Sequence, residues 1–114
     1  MTGTGSKNTM RKLLFTACSA LLVISAPATA ADAAAGKQKS QTCAACHGPD
    51  GNSVAPDFPR IAGQHYDYIV QAITGYKTGA RKSPVMMPMV DKLTQRDIED
   101  LAAYFSQQKG LTTK

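Results

Sequence analysis

The chain contains the sequence Cys43-Ala44-Ala45-Cys46-His47. A Cys-x-x-Cys-His run is typical of the attachment site of a c-type haem. Two thiols separated by two residues can each add to a vinyl group of the same porphyrin. The histidine that follows the second thiol is then carried beneath the ring, where its imidazole can bind the iron. The motif therefore predicts one covalently attached haem c, held through Cys43 and Cys46, with His47 as an iron ligand.

Two other kinds of site use a Cys-x-x-Cys pair. A structural zinc site needs four ligands, and the rest of the chain offers only Cys18 and His65. Cys18 also lies in a segment that we expect to be removed. A thioredoxin-like dithiol needs a βαβ setting, and no strand pattern flanks the motif. Haem attachment is the leading interpretation, with a redox dithiol and a metal site as alternatives.

The first thirty residues have the composition of a secretory signal peptide. Three basic residues precede an apolar run over 13–24, and Ala28-Thr29-Ala30 supplies the small residues of a cleavage site. The apolar run is too short to span a bilayer comfortably, which disfavours a retained membrane anchor. The sequence predicts a signal peptide over 1–30, a single domain over 31–114 and export to the periplasm.

Export changes what the charge and the cysteines imply. The net charge of +5 falls to +2 when the three basic residues of 1–30 are removed, and two haem propionates bring it close to zero. Nucleic acid is therefore not an expected partner. Only Cys43 and Cys46 remain after cleavage. Because both are used in haem attachment, no disulfide framework is available.

The pattern of the remaining residues predicts an all-α domain. Helices are expected over about 33–42, leading into the motif, and over about 64–77, where apolar residues recur at helical spacing. A third helix begins at the capping pair Thr94 and Asp97 and ends at Gly110. Two loops rich in helix-breaking residues separate these helices, at 48–52 and 80–91. A domain this small buries little apolar surface, so a haem is expected to complete its core.

The second axial ligand of the iron separates electron transfer from small-ligand chemistry. The candidates are His65 and the three methionines Met86, Met87 and Met89. His65 starts the second helix and is interpreted as a surface or capping residue. The methionines lie in a loop stiffened by prolines, where a thioether ligand would favour reduced iron and raise the potential. We expect one methionine to bind and the other two to fill space in the core.

The mature chain resembles the class I cytochromes c. More narrowly, it resembles the small periplasmic monohaem cytochromes and the individual halves of dihaem cytochromes from bacteria. The resemblance implies an all-α class I cytochrome c fold over 31–114, with about three main helices and long loops wrapped around one haem. The segments that carry the resemblance are 43–53, 58–64, 66–69, 76–79, 81–82, 93–94 and 97–105.

The resemblance also implies roles for individual residues. His47 corresponds to the proximal iron ligand, and Met86 corresponds to the distal one. A carbonyl, for which Pro59 is the candidate, is expected to hold the proximal imidazole by its other nitrogen. The first and last helices are expected to cross at aromatic and small residues, which points to Tyr104 and Phe105.

The function implied is that of a periplasmic electron carrier without catalytic residues, passing single electrons between donor and acceptor proteins. Four basic residues flank the methionine loop, namely Lys77, Arg81, Lys82 and Lys92. They are interpreted as a docking rim for acidic partner surfaces, or else as the charges of a solvated loop. One alternative is a haem c subunit or sensor domain of a larger redox complex, with small-ligand binding at the iron. A haem-free dithiol oxidoreductase is a third possibility.

Overall fold

The computed structural model of the protein describes residues 29–111, together with Gly3, Ile24 and Ser25. The signal peptide interpretation of 1–30 lies almost entirely outside the described residues, so it stays a prediction. Within the described part of the chain there are helices and no strands, as expected for an all-α domain, and no helix is long and apolar enough to cross a membrane. The helices are α1 Ala33–Lys39, α2 Gln41–His47, α3 Tyr66–Thr78, α4 Met86–Val90 and α5 Gln95–Ser106.

The segment before the haem motif forms two helices rather than the single helix expected over about 33–42. The side chain of Asp32 caps α1 by accepting hydrogen bonds from the backbone of Ala34 and Ala35. Helix α1 ends at Lys39, and the hydroxyl of the next residue, Ser40, donates to the carbonyl of Lys37 at 2.8 Å. A serine hydroxyl competes in this way with the helical backbone hydrogen bonds. The haem motif therefore occupies a helix of its own, α2.

The first and last helices cross at a glycine. A Cβ atom built on Gly36 would lie 1.9 Å from the backbone oxygen of Asp100 and 2.8 Å from the Cβ of Tyr104. Tyr104 therefore lies at the crossing, as the family resemblance implies. The neighbouring ring of Phe105, 5.1 Å from that of Tyr104 between centroids, instead packs near Gly51 and lines the central cavity. At position 36 only glycine, which has no side chain, allows α1 and α5 to approach each other this closely.

Gly36→Ala is expected to destabilise the domain. The added methyl group collides with backbone and cannot be relieved by a rotamer change, so the helices must separate. Overpacking costs up to about 3 kcal/mol and helix propensity gains up to about 1 kcal/mol, so the free energy of unfolding should fall by about 1–2 kcal/mol. Urea denaturation measures this, with Lys37→Ala on the exposed side of α1 as the control. Equal stability of the two variants would contradict the tight crossing.

A network of charged groups lies beside the same crossing. The ammonium of Lys39 is 2.7 Å from a carboxylate oxygen of the buried Asp100 and 2.8 Å from one of Asp97. Arg96 approaches Asp100 at 3.2 Å, and the backbone N–H of Asp32 donates to the same carboxylate at 2.8 Å. Lys39 is the largest cause that lowers the pKa of both carboxyls below their ordinary value. The network joins α1 to α5 through ionised side chains.

Lys39→Gln is expected to lose stability in a pH-dependent way. Carboxyls whose pKa is lowered by folding stabilise the native state above their unfolded pKa of about 3.9, and this contribution disappears as the pH falls through the lowered values. The difference in unfolding free energy between wild type and variant should therefore be large at pH 7 and shrink below pH about 4. Urea titrations at several pH values test this, with Lys37→Gln as the control. A difference independent of pH would mean that the charges do not carry the effect.

The C-terminal helix begins as the sequence predicts and ends earlier. Thr94 and Asp97 form a reciprocal capping box at the start of α5. The helix ends at Ser106 rather than at Gly110, which packs instead against Ala62. The loop expected over 80–91 also contains a short helix, α4. The buried side chains that hold α3 and α5 together are Ile69, Leu101, Ala102, Tyr104 and Phe105.

Candidate haem site

A cavity of about 490 Å³ opens between the helices and is lined mainly by apolar side chains. Its size lies within the range of about 300–1,000 Å³ that cofactor pockets occupy. The haem motif on α2 forms one part of its wall. The remaining helices contribute Ile69 and Ile73 from α3, Met86 and Met89 from α4, and Leu101 and Phe105 from α5.

The imidazole of His47 is fixed by a backbone hydrogen bond. His47 is 7% exposed, and its Nδ1 lies 2.8 Å from the carbonyl oxygen of Pro59, the partner that the family resemblance implies. A carbonyl can only accept, so Nδ1 carries the proton and the lone pair of Nε2 is free to bind a metal. This hydrogen bond also orients the ring and raises its strength as a ligand.

A glycine turn brings Pro59 close to His47. Gly51 has a φ of +87°, and its carbonyl accepts hydrogen bonds from the backbone of Ile61 at 2.8 Å and of Ala62 at 3.1 Å. A Cβ atom at Gly51 would lie 2.8 Å from the backbone nitrogen of Ala62, so both the conformation and the space require glycine. The segment after the haem motif is thereby folded back towards α2.

The two cysteines lie on the cavity side of α2. Cys43 and Cys46 are free thiols, and their spacing of three residues places them on one face of the helix. Burial raises the pKa of Cys43 above its ordinary value. The two thiols therefore lie together on the cavity wall, where one porphyrin can be attached through both.

The methionine segment presents two of its three thioethers to the cavity. Met86 and Met89 both line the cavity and lie one helical turn apart on α4. Met87 is 37% exposed and, among the described residues, is not one that lines the cavity. Met86 is less exposed than Met89, and its backbone N–H donates to the hydroxyl of Ser83 at 3.1 Å. His65 precedes α3 as an exposed residue and, among the described residues, is not one that lines the cavity. Met86 and Met89 are the two methionines of the segment that lie on the cavity wall.

The residues present fit a haem. An apolar cavity of suitable volume collects two thiols, one imidazole with a free Nε2 and two thioethers from a second helix. Sulfur and imidazole are the donors that hold low-spin haem iron in electron-transfer proteins. The donor set does not resemble a closed zinc site, which needs four protein ligands.

Comparisons with known proteins agree with this geometry. The family described as "Cytochrome c" matches residues 33–109. Cytochrome c4 of Azotobacter vinelandii is 42% identical over 109 residues, covering 88% of this chain and 52% of that protein. Cytochrome c-554(548) of Halomonas halodenitrificans is 46% identical over 83 residues, covering 70% of this chain and all of that protein. The crystal structure of reduced cytochrome c4 from Pseudomonas stutzeri superposes with a TM-score of 0.68 at 46% identity, covering 72% of this chain and 48% of that one.

The fold and the site therefore define an all-α haem protein of the class I type. The chain belongs to the cytochrome c family, and it matches one domain of a cytochrome c4-like protein. A domain of this family binds one haem c covalently through its Cys-x-x-Cys-His motif. The chain spans about half the length of the cytochrome c4 relatives that it matches.

Proposed function

We propose that this protein is a periplasmic electron carrier in which Cys43 and Cys46 hold the haem and His47 and Met86 bind its iron. The observation that carries the proposal is the convergence of these four side chains, from α2 and α4, on one apolar cavity. When bound, the haem supplies reversible one-electron exchange at its iron. We propose residues 31–114 as the carrier domain and 1–30 as the signal peptide that exports it.

The protein's own residues tune and protect that exchange. The Pro59 carbonyl fixes the imidazole of His47, so the ligand need not rotate when the charge of the site changes. Apolar side chains from α3 and α5 exclude water from the cavity wall and lower its local dielectric. Thioether ligation favours the reduced state and raises the potential. Each of these groups holds or tunes a haem, as the proposed carrier role requires.

The proposed partners are redox proteins with acidic surfaces. Lys77, Lys82 and Lys92 are exposed beside the segment that carries Met86, and exposed positive charges of this kind steer negatively charged partners. The Lys77 ammonium also donates to the carbonyl of Asp91, which fixes one of these charges next to α4. The rate of electron exchange with an acidic partner should fall as ionic strength rises.

One alternative has a specific observation in its favour. The chain spans about half of its cytochrome c4 relatives, which favours the alternative of a haem c subunit that works inside a larger redox complex. The match to the whole length of the Halomonas cytochrome c-554(548) supports a domain that works alone. An open iron site, as in a sensor, would require that neither Met86 nor Met89 binds.

Absorption spectra of the haem-loaded protein test the proposal. His/Met ligation should give sharp low-spin bands when the protein is reduced and a weak far-red band when it is oxidised. Carbon monoxide should leave the reduced spectrum nearly unchanged, because both axial positions are filled. Absence of the far-red band together with a large carbon monoxide shift would favour the sensor or subunit alternative. If the protein is produced in a host that attaches c-type haem and still carries no haem, the whole proposal is contradicted.

A further inference from the structure

Ser83 holds the start of the methionine helix α4 through two hydrogen bonds. Its hydroxyl accepts from the backbone N–H of Met86 at 3.1 Å, and its carbonyl accepts from that of Met87 at 3.0 Å. Pro84 follows directly, and Val85 already has helical backbone angles, with φ −82° and ψ −49°. A serine oxygen that bonds the N–H three residues further along, with proline at the next position, is typical of a helix cap. Ser83 therefore caps the segment that carries Met86.

Helix α4 depends on this cap because it is too short to be stable by itself. Among its five residues only Met86 and Val90 are four positions apart, so the helix has room for a single internal hydrogen bond of the α-helical type. Pro88, at its third position, has no N–H to donate. So short a helix is held by the groups around it rather than by its own hydrogen bonds. The position of the Met86 backbone is therefore set from outside α4.

Both ends of this segment are tied to α3. Beyond the C-terminal end of α4, the ammonium of Lys77 donates to the carbonyl of Asp91. Before the segment, the backbone N–H of Arg81 donates to the carbonyl of Gly75 at 2.9 Å. That bond fixes the connection only two residues ahead of Ser83. The hydroxyl of Ser83 is therefore the link between a fixed connection and the backbone of the methionine helix.

Ser83 and Met86 both line the haem cavity, so the cap lies beside the thioether that the proposed function assigns to the iron. We propose that Ser83 is a positioning residue for Met86, whose backbone it holds so that the thioether stays on the iron. Movement of α4 away from the cavity breaks the hydrogen bond between the two residues, so this bond opposes loss of the ligand. The inference deepens the proposed function and rests on it, because it requires Met86 to be the distal ligand.

Binding of imidazole to the oxidised, haem-loaded protein tests the inference, because imidazole binds the iron only when the methionine has left it. Its apparent affinity therefore rises with the population of that open state. Ser83→Ala should bind imidazole about fivefold more tightly than the wild type, the typical effect on an equilibrium of removing a helix cap. Loss of the far-red band during an imidazole titration measures this affinity. Ser83→Thr keeps the hydroxyl and should keep the wild-type affinity.

Ser106→Ala is the matched control. The hydroxyl of Ser106 donates to the carbonyl of Ala103 within α5, and among the described residues Ser106 is not one that lines the cavity. Its removal should leave the affinity for imidazole unchanged. A purely structural role for Ser83 would lower the urea midpoint of Ser83→Ala without changing that affinity.

The outcomes separate this inference from the proposed function. Equal imidazole affinities in Ser83→Ala and the wild type overturn the inference, while a far-red band in both shows that the proposed function still holds. A wild-type protein without that band contradicts both. If Ser83→Ala does not fold, hydrogen exchange of the wild type decides. The Met86 amide should be protected and should lose protection when imidazole binds, and equal exchange with and without imidazole overturns the inference.

Discussion

Met86→Ala should abolish the weak far-red band of the oxidised protein and lower its midpoint potential by on the order of 0.1 V or more, within the ~0.8 V that axial ligands span. A thioether stabilises reduced iron, so its loss favours the oxidised state. Met86 is the better buried of the two methionines that line the cavity. Spectroelectrochemistry measures both effects, and the vacated position should bind carbon monoxide.

The neighbouring methionines supply matched controls for this result. Met87 is exposed and, among the described residues, is not one that lines the cavity. Met87→Ala should therefore change neither the far-red band nor the midpoint potential. Met89 lies one turn from Met86 and faces the same cavity, so it can substitute as a ligand in Met86→Ala. The double variant Met86→Ala/Met89→Ala should remove any recovered band. Retention of the band in Met86→Ala, with its loss in Met89→Ala alone, would assign the ligand to Met89.

Cys43→Ser/Cys46→Ser should eliminate covalent haem and, with it, most of the folded population. Without the haem, the largely apolar side chains that line this cavity of about 490 Å³ lose their packing partner and are exposed to water. Whole domains are stable by only about 5–15 kcal/mol. Far-ultraviolet circular dichroism should therefore show a large loss of helix, and acidic organic solvent should extract any haem still bound.

The single variants refine this second prediction. One thioether bond should remain in Cys43→Ser or Cys46→Ser, so each should keep covalent haem at a reduced yield and show an intermediate thermal midpoint. Wild-type protein produced without haem attachment is the matched control for the double variant. Native helicity and a cooperative unfolding transition in that haem-free protein would show that the helices alone stabilise the fold.

Local sequence signals predicted the parts of this fold that depend on short-range chemistry. The capping pair Thr94 and Asp97 specifies the start of α5 from four residues of sequence. The family resemblance implied the Pro59 carbonyl as the partner of His47, and the two atoms are 2.8 Å apart. The Cys-x-x-Cys-His motif carries its own chemistry, because attachment requires only its spacing and residue types.

Other features depend on contacts between distant segments or on positions within a helix. Pro88 suggested a loop, but it lies in the first turn of α4, where backbone N–H groups have no partner within the helix and proline is tolerated. Asp100 reads in sequence as one more surface charge, and only its spacing of four from Arg96 hints at an ion pair. In the structure Asp100 is buried and paired with Lys39, 61 residues away. Arg81 is exposed, as its place in the basic rim suggests, but its contacts with the rings of Tyr68 and Tyr76 depend on how the chain turns back after α3.

The crossing at Gly36 has a consequence for how the chain reaches its final shape. It joins segments that are far apart in sequence, as the hydrogen bond from Asp32 to Asp100 across 68 positions illustrates. Closing so long a loop is slow, because its entropy is lost before the contacts form. The haem helix α2 lies inside that loop. Because α1 and α5 are stabilised by contacts with each other, amide hydrogen exchange should detect them as one unit that opens cooperatively.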